Sequence, residues 1–405
     1  MGKIVFAWEF GGGLGHIQRI ASLAEKMLER GHDAVCIVKY VAEAEKILGR
    51  FGIDVIQAPV YWNINVNALP NTFNYALNLF NLGYTIGDGL ISMVKTWRNM
   101  FRLIKPDMAV IDHAPTALIA LRSMQTKTIL YGTGYVSPPA LSPMPSLLPW
   151  LKAPEGLLES SEEKAVSTIN RALAQLDAPL LHKLSDLFVV DENILTTFKE
   201  LDHYQKREPA KYWGPVFSPT VGISPVWPPG FAKRIFCYLK PDNPHFKSLL
   251  YTLKRIKAVS VIYAPGVSAE LVKEIQDPRM NIVQEPLDMS KVCRECDLVI
   301  CHAGHGTVAS TLLYGKPLLV IPGRHHLEQV LTARNVTRLK AGLAILKKSN
   351  EVSLTDGYMT AIMRLLNEAH FHEQARNFSQ KYKDFNPETQ ISQIADRCQE
   401  IMGQE

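Results

Sequence analysis

The sequence predicts an α/β protein built from two doubly wound, Rossmann-like domains. Three observations carry that expectation. Short apolar runs alternate with helix-period segments along most of the chain, the pattern of parallel sheets covered on both faces. The alternation breaks at residues 217–230, a proline-rich stretch with no helical period, and then starts again. The 405 residues, 47% hydrophobic, suffice for two cores. The expected division is a first domain over 1–216, a linker over 217–230 and a second domain over 231–386. A helix over 387–405 is long enough to cross back onto the first domain.

The first domain opens with an apolar strand, Ile4 to Phe10. A glycine-rich turn follows, Gly11-Gly-Gly-Leu-Gly-His16, then an amphipathic helix from Ile17 to Arg30 closed by Gly31. Strands are expected at Ala34–Tyr40 and Val55–Ala58, with a helix between them. The glycines do not fit a dinucleotide fingerprint: Gln18 occupies its last glycine site, and the second strand ends in Lys39-Tyr40 with no acid for a ribose hydroxyl. Residues 61–84 are rich in aromatics and asparagine and read either as a lining for a binding cleft or as a helical hairpin with core aromatics. A helix over Ile86–Ile104 leads to the run Lys105-Pro-Asp-Met-Ala-Val-Ile-Asp112, which reads as a strand ending in an acid. Thr128–Gly132 is a further strand, a proline-rich loop runs from Ser137 to Pro154, and helical period resumes over Ser161–Leu176. Segments at Leu187–Val190, Ile194–Phe198 and Lys211–Val216 close the domain.

The second domain restarts with the strand Arg234–Leu239 and continues through strands at Val259–Tyr263 and Asn281–Gln284. Its centre is the stretch Ile300 to Tyr314, which follows the buried-strand run Asp297–Cys301 and precedes a helix ended by Gly315 and Pro317. Gly304, His305, Gly306 and Thr307 therefore fall in a strand-to-helix turn, where backbone N–H groups and the helix dipole favour an anion. Thr307 is placed to cap that helix, and His302 at the strand end to reach a phosphate. The competing reading is a tight turn with a capping threonine. Another strand, Lys316–Pro322, runs into Gly323-Arg-His-His-Leu-Glu-Gln329 and a helix to Lys340.

The ordered set His302-Ala-Gly-His-Gly-Thr307, Gly315-Lys-Pro-Leu-Leu-Val-Ile-Pro322, Glu328-Gln329 and Ala341-Gly-Leu-Ala344 resembles the donor-binding signature of the family 1 nucleotide-sugar glycosyltransferases. Those include plant and mammalian UDP-glycosyltransferases and bacterial macrolide and glycopeptide enzymes. Gly15-His16, Arg30-Gly-His32 and the Pro106-Asp-to-Asp112 strand are similar to the family's amino-terminal half. The resemblance implies a GT-B arrangement, two such domains facing across a cleft. It implies an inverting, metal-independent transfer of a hexose from a UDP- or dTDP-sugar to a small-molecule or lipid acceptor, with no cofactor. His16 is then the base and Asp112 its partner, with His113 a rival partner. Histidine is the side chain whose ordinary ionisation falls near neutral pH. The donor would be held by His302, Gly304, His305, Gly306, Thr307, Ser310, Glu328 and Gln329. Arg324, His325 and His326 would add positive charge or lie on the surface. Bland readings stand beside these: a helix-start histidine, a solvated strand-end acid, and an ordinary helix amino-terminus at Glu328-Gln329.

Three departures from the family pattern matter. Ser310 replaces a glutamate that commonly holds ribose, which leaves UDP against dTDP open. Leu239-Lys-Pro241 replaces a Gly-Ser. The glycine-rich start, Gly11 to Gly15, also resembles that of the lipid-linked N-acetylglucosaminyl transferase of peptidoglycan synthesis, although the rest of that pattern is not apparent. A nucleotide-sugar epimerase or hydrolase on the same fold, or a non-catalytic sugar-nucleotide binder, is the alternative.

Composition excludes other classes. The net charge of +5 comes without a dense basic run, so nucleic acid is not the expected partner. It suits an anionic diphosphate, or peripheral contact with an anionic membrane. No run is long and apolar enough to span a bilayer, and the opening residues lack the form of a signal peptide, so the expected location is cytoplasmic. The six cysteines lie mostly in apolar runs and read as reduced core thiols. A metal site at Cys293, Cys296, Cys301 and His302 is disfavoured, because the Cys-x-x-Cys pair falls in a short helix rather than a knuckle turn.

Overall fold

The computed structural model describes residues 1–60, 71–85, 87–204, 207, 209–217, 222–230, 233–323, 326–346 and 354–403. The expected aromatic lining at Tyr61 and Trp62, and the cations Arg324 and His325, lie outside these residues. The chain forms two compact units. The first comprises Met1–Thr197, Tyr204–Pro219 and Asn386–Glu405; the second comprises Phe198–His203 and Thr220–Phe385.

The first unit holds a parallel sheet of β1 (Lys3–Trp8), β2 (Asp33–Val38), β3 (Asp54–Gln57), β4 (Met108–Ile111), β5 (Lys127–Gly132) and β6 (Glu192–Leu195). Their order is β3-β2-β1-β4-β5-β6. Register sets Phe6 between Cys36 on one side and Val110 on the other. The central strands are apolar on both faces because helices cover both faces. The helix Gly15–Glu29 buries Ile17, Ile20, Ala21, Leu23, Ala24 and Met27, a single stripe at helical spacing, against β1. The helix Pro387–Ile401 adds Ile391, Ile394, Ala395 and Cys398 to the same core. A fully buried isoleucine contributes about 1.5–3 kcal/mol, so this stripe anchors the carboxy-terminal segment. Arg397 reinforces it with a hydrogen bond to Glu192 at 2.8 Å.

The second unit repeats the plan with β7 (Arg234–Tyr238), β8 (Val259–Tyr263), β9 (Met280–Val283), β10 (Leu298–Cys301), β11 (Leu318–Val320) and β12 (Gly342–Ala344). The order β12-β11-β10-β7-β8-β9 is that of the first sheet read from the other edge. The expectation of two doubly wound, Rossmann-like domains is met.

In each sheet the winding reverses between the first and fourth strands of the unit, β1 and β4 or β7 and β10. In open α/β sheets, ligands bind outside the carboxyl ends of the strands at that switch point.

Local differences from the expected elements have physical causes. Leu187–Val190 is not a strand: Leu184–Phe188 forms a 3-10 turn, tied by Asp186 accepting from the backbone N–H groups of His182 and Lys183. The sheet strand begins later, at Glu192. The helix expected from Ser161 begins at Leu157. His16 sits in the first turn of its helix rather than in the preceding loop.

Candidate catalytic and donor-binding sites

Both candidate sites grow from the switch points. In the first unit, β1 ends at Trp8 and the chain passes through the exposed glycine-rich turn into the helix that carries His16. Next to it, β4 ends at Ile111, which puts Asp112 at the carboxyl edge of the neighbouring strand. His16 Nδ1 lies 3.0 Å from Asp112 Oδ2. Arg19, one helical turn beyond His16, donates from Nη2 to the same oxygen at 2.6 Å.

Asp112 is 1% exposed. Burial alone would raise its pKa, but the Arg19 and His16 charges and their hydrogen bonds outweigh it and hold the carboxyl down at about 2. A carboxylate that stays ionised accepts the Nδ1 proton of His16, so the tautomer that fits these contacts leaves Nε2 as the basic nitrogen.

The imidazole is fixed on its other sides as well. It stacks on the Trp8 indole, with centroids 5.0 Å apart and planes 16° off parallel. Its Nε2 faces Gly11. That residue has φ +90°, and a Cβ there would sit 2.9 Å from Nε2, so glycine both permits the turn and keeps the nitrogen uncovered. His113, the rival partner, stands with its ring centroid 6.5 Å from that of His16 and does not replace Asp112. Burial lowers its pKa to about 3, so it is neutral. Beneath the turn, Glu9 accepts from the Thr116 N–H at 2.5 Å and from Trp97 Nε1 at 2.8 Å. Desolvation nevertheless raises the Glu9 carboxyl to about 7.

In the second unit, β10 passes through His302, Ala303 and Gly304 into the helix His305–Leu313. Gly304 is the N-cap and has no side chain to make a cap bond, while its carbonyl accepts from the Val308 N–H at 3.0 Å; Thr307 lies inside the first turn and does not cap the helix. The N–H groups of His305, Gly306 and Thr307 therefore have no intrahelical acceptor, which suits an anion. His302 packs edge-on to Tyr238, with centroids 4.7 Å apart. Burial lowers its pKa to about 4, partly offset by the Tyr238 backbone, so the ring is neutral. Its Nδ1 is buried without a hydrogen-bond partner among the described residues. His302, expected to reach a phosphate, is a neutral ring in this state and offers a hydrogen bond. Its close neighbour is Gly304, where a Cβ would stand 2.9 Å from His302 Nε2.

The remaining donor candidates divide. Ser310 is buried in the helix His305–Leu313, on which the neighbouring Thr311 hydroxyl lies 3.9 Å from the Cys293 thiol. Gln329 closes the loop after β11: its Oε1 accepts from the Gly323 N–H at 2.8 Å. Glu328 lies in the first turn of the helix Leu327–Arg338, and His326 immediately precedes that helix. Cys293, Cys296 and Cys301 are buried thiols pushed up by desolvation. Among the described residues no group of three or more His, Cys, Asp or Glu is placed to hold a metal ion. Sequence reasoning missed Arg19 and Trp8. The signal for Arg19 was its three-residue spacing from His16 on one helix face; Trp8, inside a buried strand, gave none.

Two doubly wound domains of this strand order, each with a candidate site at its switch point, are the architecture of the GT-B fold. Comparison with known proteins bears this out. Residues 251–388, which include the whole central motif, match the glycosyltransferase family 28 C-terminal domain. A 113-residue segment is 28% identical to the UDP-N-acetylglucosamine–N-acetylmuramyl-(pentapeptide) pyrophosphoryl-undecaprenol N-acetylglucosamine transferase of Acetivibrio thermocellus. That match spans 26% of this chain and 30% of the relative's length. The calicheamicin glycosyltransferase CalG4 superposes over 99% of this chain and 98% of its own, with TM-score 0.72 and 16% identity. VinC, a glycosyltransferase solved with dTDP, does so over 98% of this chain and all of its own, at 0.68 and 16%. The spinosyn rhamnosyltransferase SpnG, solved with spinosyn aglycone, covers 97% of this chain and all of its own, at 0.65 and 16%. The chain thus has the fold of the GT-B glycosyltransferases, and its residues 251–388 are similar to a glycosyltransferase C-terminal domain. The family model that matches is that of family 28, and the curated relative is a lipid-linked N-acetylglucosamine transferase, the kind of enzyme that the glycine-rich start resembles. The structural neighbours named here are glycosyltransferases.

Proposed function

We propose that the protein is an inverting glycosyltransferase that moves a hexose from a UDP- or dTDP-sugar to an acceptor hydroxyl, with no metal or cofactor. The observation that carries the reading is the 3.0 Å contact between His16 and an Asp112 held ionised at the switch point of the first sheet. In the reaction, the acceptor oxygen attacks the anomeric carbon as the carbon–oxygen bond to the diphosphate breaks. The acceptor proton passes to His16 Nε2, and Asp112 stabilises the imidazolium that forms. The negative charge left on the diphosphate falls to the amides at the start of the helix His305–Leu313. One base and one displacement give inversion.

A nucleotide-binding role in the second unit is supported by the family 28 domain match and by VinC, whose structure contains dTDP. The acceptor is a small molecule, as in SpnG with its aglycone, or a lipid, as in the transferase of Acetivibrio thermocellus. Among the described residues no helix is long and apolar enough to cross a membrane. The reading places the reaction in the cytoplasm, with peripheral membrane contact where the acceptor is a lipid and no nucleic-acid partner.

The test is a thermal-shift panel with UDP, dTDP, GDP, NAD and UDP- and dTDP-hexoses, followed by a nucleotide-release assay with the preferred donor. Stabilisation by UDP or dTDP, and acceptor-dependent release lost in His16→Ala, support the proposal. Release that needs no acceptor points instead to a hydrolase. Stabilisation by NAD alone, or by none of the panel, removes the donor site and the proposal with it.

A further inference from the structure

The first unit buries an acid that the transfer step does not use. Glu9 follows the last residue of β1 and is 5% exposed. Its two oxygens accept from the Thr116 amide at 2.5 Å and from Trp97 Nε1 at 2.8 Å. Among the described residues no cation pairs with it, and desolvation raises the carboxyl to about 7 in spite of both bonds. A buried acid without a counter-charge weakens a fold, so its place is explained by what it holds.

What it holds is the start of the helix Pro115–Leu121. The N-cap there is Ala114, which makes no side-chain cap bond, and the first helical residue, Pro115, has no N–H. The Thr116 amide is therefore the first free donor of that helix, and Glu9 supplies its acceptor from another strand. Between this bond and the end of β4 lie only Asp112, His113, Ala114 and Pro115. The same loop is tied twice more to the chain around the end of β1. The Asp112 N–H donates to the Ala7 carbonyl at 2.9 Å, and the Phe10 N–H to the His113 carbonyl at 3.1 Å. The Tyr84 hydroxyl lies 2.8 Å from Thr116 Oγ1 and supports the helix start from a third side.

The loop needs that support. His113 is held at φ +44°, a left-handed conformation that a residue with a side chain keeps only where its surroundings over-determine it. Asp112, the residue before it, presents the oxygen that His16 Nδ1 meets at 3.0 Å. Once the Thr116 amide loses its acceptor, His113 is free to relax toward negative φ, and the backbone rotation passes directly to Asp112.

We propose that Glu9 is a positioning residue: by accepting from the Thr116 amide it locks the loop after β4 and so holds Asp112 against His16. It touches no reacting atom and acts through Asp112. Its use in turnover rests on the proposed transferase reading, whereas the geometry it holds does not.

The test sets Glu9→Met, close in size but without an acceptor, against Glu9→Gln, which keeps one acceptor for the amide. Glu9→Met should lower kcat by about ten- to hundredfold, the order expected of a catalytic pair displaced by about 1 Å or less. Its affinity for the preferred nucleotide should stay within about twofold of wild type. Glu9→Gln should recover kcat to within about fivefold of wild type, as restoring the one hydrogen bond predicts. In crystal structures of the two variants, the His16–Asp112 contact should remain near 3.0 Å in Glu9→Gln and lengthen by about 0.5 Å or more in Glu9→Met. Wild-type kcat in Glu9→Met, an equal fall in its nucleotide affinity, or an unmoved contact overturns the proposal. So does a Glu9→Gln as slow as Glu9→Met. Where Glu9→Met does not fold, Glu9→Asp, one methylene too short to reach both donors, takes its place, with the same losses expected and the same results overturning. If the wild type moves no sugar from any donor, the transferase reading fails, and the crystallographic contact alone decides what Glu9 holds.

Discussion

The two units use one topology to make two different turns. In each, a buried strand at the switch point leads through a glycine into a helix. In the first unit that turn is stiffened by charge: Asp112 is ionised, Arg19 shares its oxygen, and His16 is stacked and bonded in place. In the second, the histidine at the strand end is neutral, and what remains for an anion is a row of amides and a helix dipole. Under the proposed reading the two sides of the switch point serve different tasks, proton transfer at the turn after β1 in one unit and holding a leaving group at the turn after β10 in the other. The difference lies in what the adjacent strand supplies: Asp112, just past the end of β4, in one unit, and Tyr238, the last residue of β7, in the other.

The comparison breaks most directly at Asp112. Asp112→Asn keeps the shape but removes the ionised partner, so His16 loses both its tautomer and the stabilisation of its cation. Turnover should fall by about 10²–10⁴. The affinity for the preferred nucleotide, a property of the second unit, should stay within about twofold. Steady-state kinetics with isothermal calorimetry checks both. An equal loss in nucleotide affinity would mean that the two turns do not divide the labour.

The next effect separates the units by what they bury. Under the first turn lies Glu9, whose carboxyl desolvation raises from 4.5 to about 7. The folded state thus favours the protonated form. That contribution is complete below pH 4.5 and is lost as pH rises through 7, with a total of about 3 kcal/mol. Glu9→Gln cannot titrate. Urea unfolding of wild type and variant at pH 4.5, 6 and 8 should show the wild-type advantage shrinking by about that amount. A difference that stays constant with pH would show that Glu9 is ionised throughout.

Arg19 works in the opposite pH direction. Asp112 has a folded pKa near 2 against an ordinary 3.8, chiefly because Arg19 and His16 overcome its burial. Its contribution is present above 3.8 and is lost as pH falls through 2. Arg19→Met should forfeit about 2 kcal/mol at pH 5 and close to nothing at pH 2, read from the same urea series. A deficit that persists at pH 2 would assign Arg19 a packing role.

How far the sequence foresaw these turns follows from the physics of each part. Period and punctuation were enough for the alternation of strands and helices, because a buried parallel strand must be apolar on both faces, as in Ile4–Trp8 and Leu298–Cys301. The His16–Asp112 pair was legible through the family resemblance and through the ends of adjacent strands. Three things were not legible. Ser310 stands where the family has a ribose-holding glutamate, and its burial in the helix His305–Leu313 depends on packing that a single position in the sequence does not show. Thr307 looked like a cap, yet the helix begins two residues earlier, at His305. The neutrality of His302 depends on how closely Tyr238 and its surroundings enclose the ring, which is a property of packing.

The smallest expected effect sharpens the second turn. If His302 gives a hydrogen bond and no charge, donor affinity should not depend on its ionisation. A nucleotide sugar is the right probe, because its diphosphate is esterified at both ends and keeps one charge state from pH 5.5 to 8. His302→Phe should weaken donor binding by about five- to tenfold, the value of one hydrogen bond of about 1 kcal/mol. The ratio of wild-type to variant affinity should stay within about twofold across that range. A ratio that grows as the pH drops below 6.5 would mean that the bound diphosphate draws a proton onto His302. The two turns would then differ in how their charge is supplied, from a resident carboxylate in one and from the ligand in the other.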